Sequence, residues 1–166
     1  VVNNGTGTSI TMQKGTVFTS SVNNTSYQYV TNEDITTTPI DGIFTFSNVT
    51  IYEGTLVKFK YTVDETDVDQ KFVIPNANAD TSTLKVSVQN SANDTTLSAY
   101  TLSSGYTGVD ASSKVYFIQE QRDGKFEVYF GDGVTGKKLE NGNVVILEYI
   151  VTNKTSSNGA KTFALQ

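Results

Sequence analysis

The stretch from Val115 to Tyr149, VYFIQEQRDGKFEVYFGDGVTGKKLENGNVVILEY, constrains the fold more than any other part of the chain. It reads as strand, tight turn, strand, glycine-rich loop, strand. Val115–Gln121 and Lys125–Phe130 flank Asp123-Gly124, a strong short-range hairpin signal. A two-residue turn sets Phe117 opposite Phe130 and Ile118 opposite Tyr129, both favourable pairs. The same register sets Glu120 opposite Glu127, a mild like-charge cost that keeps a three-residue turn open. The run VVILEYIV, up to Val151, is nearly continuously apolar and predicts a strand buried on both faces. Glu148 interrupts it and is expected to reach the rim or to pair with a lysine.

Period-two alternation recurs elsewhere, and helical periodicity is almost absent. Val57, Phe59, Tyr61 and Val63 alternate with Lys58, Lys60 and Thr62. A partner strand is expected over Ile43–Tyr52, joined to it by a turn at Glu53-Gly54 and bulged near Ser47-Asn48. Further strands are predicted at Val17–Val22, Tyr27–Thr31, Lys71–Ile74 and Leu84–Gln89. Residues 90–113 read as a Ser/Thr/Asn/Gly-rich loop anchored by Tyr100, Leu102 and Tyr106, and a loop that long is expected to be partly ordered against the body. The fold class is therefore all-β, a mainly antiparallel, β-sandwich-like region with long loops. Two β-subdomains are an option, with a boundary expected near residues 75–83.

Composition removes several chemistries. The chain has no Cys and no His, so thiolate catalysis, cysteine metal sites and the commonest general base are missing. A net charge of -5 argues against a phosphate-binding surface and hence against nucleic acid. No apolar run has the length needed to cross a bilayer as a helix. Acids at Asp64, Asp67 and Asp69 lack the central Gly and distal Glu of a calcium loop and read as solvated loop acids. No acid pair, nucleophile–base pair or metal cluster emerges, so no catalytic residue, cofactor or metal is expected.

Gly131, Gly133 and Gly136 form a GxGxxG pattern, and Gly131 to Lys137 also spans GxxxxGK. Either phosphate-binding loop must open a helix whose N-terminal amides hold the phosphate. Here Asn141-Gly142 follows Lys137–Glu140 at once, which leaves no room for that helix. Lys138 also stands where a magnesium-ligating Ser or Thr belongs. The glycines are better read as conformational necessities of a crossing loop.

Several pieces of the chain together resemble a known family. They are Val115-Tyr116-Phe117, the Asp123-Gly124 turn, Phe130-Gly131-Asp132-Gly133, Gly136-Lys137, Gly142-Asn143 and the strand ending at Tyr149. Upstream, Lys14-Gly15-Thr16 with Phe18, Val30-Thr31 and Ile51-Tyr52-Glu53-Gly54 add to the likeness. The chain resembles the baseplate wedge proteins of contractile-tailed phages, related to the baseplate J-like family, and looks like an internal or C-terminal piece of one. The resemblance implies a structural protein of the virion's tail baseplate, assembled in the bacterial host cytoplasm, with no catalytic residue. It would associate with itself, expected as a homodimer, and with other wedge proteins to form the inner baseplate ring.

Gly131, Asp132, Gly133, Gly136 and Gly142 are the candidate signature loop. Tyr27, Tyr29, Tyr100 and Tyr106 lie in polar sequence surroundings and are the candidate contact groups, although a tyrosine that caps the core with its hydroxyl in water would look the same. No nucleic-acid or membrane partner is expected. The rival reading is a cell-surface adhesin or carbohydrate-binding β-sandwich, suggested by the Thr/Asn-rich, Cys-free strands and their aromatics.

Overall fold

The computed structural model describes residues 2–3 and 7–166. The chain forms two compact units, one built from residues 1–56 and 150–166, the other from 57–149. Both crossings lie inside strands. The segment near residues 75–83 is not a division: it lies within the second unit and carries the start of a long strand. A polar break such as PNANAD marks a turn, and here Ala79 N–H donates to the Asn76 carbonyl at 3.2 Å.

The first unit holds β1 (Val2–Asn3), β2 (Ile10–Met12), β3 (Val17–Val22), β4 (Thr25–Val30), β5 (Ile35–Thr37), β6 (Pro39–Ile40), β7 (Ile43–Thr45) and β8 (Tyr52–Glu53). The second holds most of β9 (Thr55–Thr62), then β10 (Phe72–Ile74), β11 (Ala79–Gln89), β12 (Leu97–Leu102), β13 (Val115–Glu120), β14 (Phe126–Phe130) and most of β15 (Val144–Val151). A short 3-10 turn, Lys154–Ser157, and β16 (Ala164–Leu165) complete the first unit. The all-β reading holds: the strands of the first unit pair antiparallel, as do β10 with β14, β13 with β14 and β11 with β12, while β12 with β13 is parallel.

In the first unit the sheets run β1-β7-β6, β16-β3-β4-β8 and β2-β5. The β3–β4 hairpin turns on Asn23-Asn24, both with positive φ, and the β6–β7 hairpin on Asp41-Gly42, also both positive. These are two-residue turns whose left-handed residues match strand twist, and Asn, Asp and Gly tolerate them. Met12, Phe18, Tyr29 and Phe46 form the core, with Ile35 and Ile51 packed against it. The strand expected over Ile43–Tyr52 stops at Thr45 and pairing resumes only at Tyr52. Asn48 at φ 55 breaks the extended backbone between them. β8 then pairs with β4, and β9 leaves for the other sheet, so Glu53-Gly54 does not close a β7–β9 hairpin.

The second unit is one seven-stranded sheet, ordered β10-β14-β13-β12-β11-β15-β9. β15 is its buried strand: Val145, Leu147 and Tyr149 are fully buried, and the residues between them are also buried. Glu148 in this strand pairs with Lys58 of the adjacent β9 at 3.4 Å, as its position in an apolar run requires. The edge strands are linked by side chains, because the Tyr61 hydroxyl donates to the Val73 carbonyl at 2.6 Å and its ring packs edge-on against Phe72.

The β13–β14 hairpin takes the three-residue turn. Gln121 N–H donates to Lys125 O at 2.7 Å, and Gly124, at φ 77, occupies the left-handed position of that turn type. Phe117 therefore faces Tyr129, and Tyr116 faces Phe130. The slip also separates the two acids, since Glu127 now opposes Gln119. Glu127 accepts from the Gln121 side chain and lies 3.6 Å from the Lys71 ammonium.

Candidate functional site

The glycine-rich loop after β14 is built by its own backbone. The Asp132 carboxylate accepts the amides of Val134 (2.9 Å) and Thr135 (2.8 Å), an Asx-type turn. Gly133 N–H donates to Gly136 O at 3.0 Å and closes the loop on itself. Closure brings Gly131 and Gly136 into backbone contact, so close that a Cβ on Gly131 would lie 2.2 Å from the Gly136 carbonyl. Gly133 and Gly136 both have positive φ. Each of the three glycines is thus required by a conformation or a contact.

The closed loop docks on a second one. Gly136 N–H donates to Asp110 O at 3.0 Å, and Lys137 N–H to Ser113 O at 2.8 Å. The receiving loop is held by the Asp110 carboxylate, which accepts from the Ser112 amide and from the hydroxyls of Ser112 and Ser113. The next turn is bolted by Asn143. Its Oδ1 accepts Glu140 N–H at 2.9 Å, and its Nδ2 donates to the Asn90 carbonyl at 2.8 Å. Its backbone carbonyl accepts Val63 N–H at 2.8 Å, while Gly142 N–H donates to Val63 O at 2.9 Å. Gly142 supplies the positive φ of this turn, and a Cβ added there would meet nothing within 4 Å. Lys138 pairs with Glu65 at 3.2 Å.

This geometry decides how the glycine pattern works. A phosphate cradle presents free backbone amides at a helix start. Here the five successive amides of Gly133, Val134, Thr135, Gly136 and Lys137 all donate to protein oxygens. No helix follows before β15. The loop is a clamp between chain segments. Asp110 and Asn143 carry much of it, and the sequence reading did not single out either as a site. The Asp-x-Ser-Ser spacing at 110–113, an Asx-turn pattern, could have found the first.

The clamp has a pH signature. Hydrogen bonds from the Thr135 and then the Val134 amide hold the Asp132 carboxyl below its ordinary 3.8. The Ser112 and Ser113 hydroxyls, with the Ser112 amide, do the same for Asp110. Both pKa values are depressed by folding, so the stabilisation is complete above the ordinary value and is lost as pH falls through the folded one. Amide NMR signals of Val134 and Thr135 are expected to titrate together, with a midpoint below the ordinary 3.8. Midpoints at or above the ordinary value would contradict the hydrogen bonding.

The four tyrosines are divided between the units, Tyr27 and Tyr29 in the first and Tyr100 and Tyr106 in the second. Tyr29 is buried, donates to Ser157 O at 3.2 Å and meets Phe163 edge-on. Tyr27 packs on the first unit's core. Tyr100 is buried against Phe130, and burial, followed by the Glu140 charge, raises its pKa. Tyr106 alone of the four is well exposed, at 63%. It lies over Phe117, which stacks on Tyr129 at 5.2 Å, and the three line a shallow cleft with Leu102 and Ile118.

Comparison with known proteins places the clamp. Residues 55–161, spanning the whole second unit, match the family described as bacteriophage baseplate wedge protein gp6, third domain. The chain belongs to this family. One curated relative is the baseplate wedge protein gp6 of Enterobacteria phage T4, 25% identical over 173 aligned positions that cover 93% of this chain. The chain spans about a quarter of that relative's length. The family expectation is thus met over most of the chain, and the location it carries is the tail baseplate of the virion. No helix among the described residues is long and apolar enough to cross a membrane. As a wedge domain, the chain contributes a β scaffold in which the glycine-rich loop is internally satisfied.

Proposed function

We propose that this chain is a structural module that builds the baseplate by protein–protein contact. It associates with itself and binds other wedge proteins of the inner ring, and it performs no catalysis. The observation that carries the reading is the loop of residues 133–137, whose amides are all spent on closing the loop and docking it on Asp110 and Ser113 within a baseplate wedge domain. A rigid clamp of this kind suits a part that must transmit load. Light scattering across a concentration series tests the self-association. The expected result is a dimer or larger species that grows with concentration, and a strict monomer would remove self-association from these residues.

A carbohydrate-binding role is the second reading, favoured by the exposed Tyr106 beside Tyr129 and Phe117 in an open cleft. It requires glycan binding that disappears in Tyr106→Ala. The assembly reading expects no such binding.

A further inference from the structure

The seven-stranded sheet of the second unit ends on β9, which has β15 on one side and no strand on the other. Backbone groups of successive strand residues point alternately to the two sides. Just past the strand, Val63 shows which residues face the β15 side. Its N–H donates to Asn143 O at 2.8 Å, and its C=O accepts Gly142 N–H at 2.9 Å. Thr62 and Asp64 face the other way, and the Gln70 side-chain amide meets them there as an added strand would. Its Nε2 donates to Thr62 O at 2.8 Å, and its Oε1 accepts Asp64 N–H at 3.0 Å. The same alternation turns the N–H and C=O of Lys60 and Lys58 outward. Phe59 and Tyr61, at the intervening positions, share one face with their rings 5.0 Å apart, so the alternation is unbroken there. Among the described residues nothing else bonds to these outward groups, and Lys58, Phe59 and Lys60 are all exposed.

Such an edge is a template for one more strand. A second copy of β9 does not fit it. Antiparallel pairing about Phe59 would set Lys58 against Lys60, with like charges directly opposite each other. The lysines thus discourage self-pairing and favour an unlike strand that carries acids. Lys58 lies 3.4 Å from Glu148 of β15, whereas Lys60 has no ion pair among the described residues. Phe59 stands on the opposite face and is exposed, so an apolar residue between two acids matches the row Lys58, Phe59, Lys60. At the far end, Gln70 covers the edge, and Asp64, Asp67 and Asp69 lie in the loop beside it. These acids stop an acidic strand from running on past Lys60.

We infer that the outer edge of β9, at Lys58 and Lys60, receives an extended acidic–apolar segment of another baseplate protein as an added strand. The inference rests on the assembly reading above and names the surface and the partner chemistry of that assembly. The main chain supplies the attachment, and the two ammonium groups select acids over bases in the incoming strand.

The test uses the intact chain and the capped peptide Val-Glu-Val-Glu-Val, followed by amide hydrogen exchange. With the edge about nine-tenths occupied, the amides of Lys58 and Lys60 are expected to exchange about tenfold more slowly. The amides of Phe59 and Tyr61, which face β15, are expected to change little. The capped peptide Val-Lys-Val-Lys-Val is the control and is expected to protect none of them. Lys60→Pro removes an outward N–H that the sheet does not use, so the fold is retained while protection of Lys58 is lost. Lys60→Glu leaves the backbone intact and weakens binding of the acidic peptide about threefold. Equal protection by the two peptides, or no slowing at Lys58 and Lys60 with the acidic one, would overturn the inference. Light scattering reports association through any surface, so the assembly reading and this edge can fail separately.

Discussion

Gly131→Ala is expected to destabilise the second unit by about 3 kcal/mol or more. The new Cβ would come within 2.2 Å of the carbonyl carbon and oxygen of Gly136 and 2.4 Å of its Cα. These are backbone atoms, so no side-chain rotation relieves the clash. Moving Gly136 away breaks the Gly133–Gly136 closure and strains the bonds to Asp110 and Ser113. Gly142→Ala is the control. Nothing lies near its added Cβ, and only its positive φ resists substitution, a cost of about 1–2 kcal/mol. Urea denaturation of the two variants separates close approach from backbone conformation. If both lose the same small amount, the clamp is looser than described.

Leu147→Ala should weaken the fold by about 2–5 kcal/mol. Leu147 is fully buried in the middle of β15, and the adjoining residues face buried surroundings too, so the vacated volume has little that can collapse into it. Phe59 on the edge strand β9 is 37% exposed, and Phe59→Ala is expected to cost much less. Thermal melts of both variants would show a large shift for the first and a small one for the second. A small shift for Leu147→Ala would mean that β15 does not organise the core.

The burial of β15 was legible because eight residues of mostly β-branched and aliphatic character admit few other readings. The absence of a helix after Gly136 was legible too, from the early arrival of Asn141-Gly142. The hairpin register was not fixed by Asp123-Gly124, because the same dipeptide serves two turn lengths that differ by one residue. Only the repulsion between Glu120 and Glu127 favoured the longer turn, and that small energy proved to point the right way. β12 was hidden within a stretch of serines and threonines, where Leu97, Ala99, Tyr100 and Leu102 give too little alternation to register as a strand.

The division into units was invisible for a different reason. Both crossings fall within β9 and β15, where the sequence keeps its strand pattern and composition does not change. Tyrosines in polar sequence proved equally ambiguous. Tyr29 and Tyr100 turn inward, one with its hydroxyl on a backbone carbonyl, whereas Tyr106 faces solvent. Local polarity says that a hydroxyl is welcome at a position, not which way the ring points. The signature glycines were recognisable as a set, but their partners Asp110, Ser113 and Val63 are distant in sequence and were not.

The most direct test of the structural role is sedimentation velocity of this chain mixed with the other wedge proteins of its own phage. The assembly reading predicts a faster species that contains both components and is absent from either alone. Independent sedimentation of every component, at concentrations where the wedge proteins otherwise assemble, would contradict it.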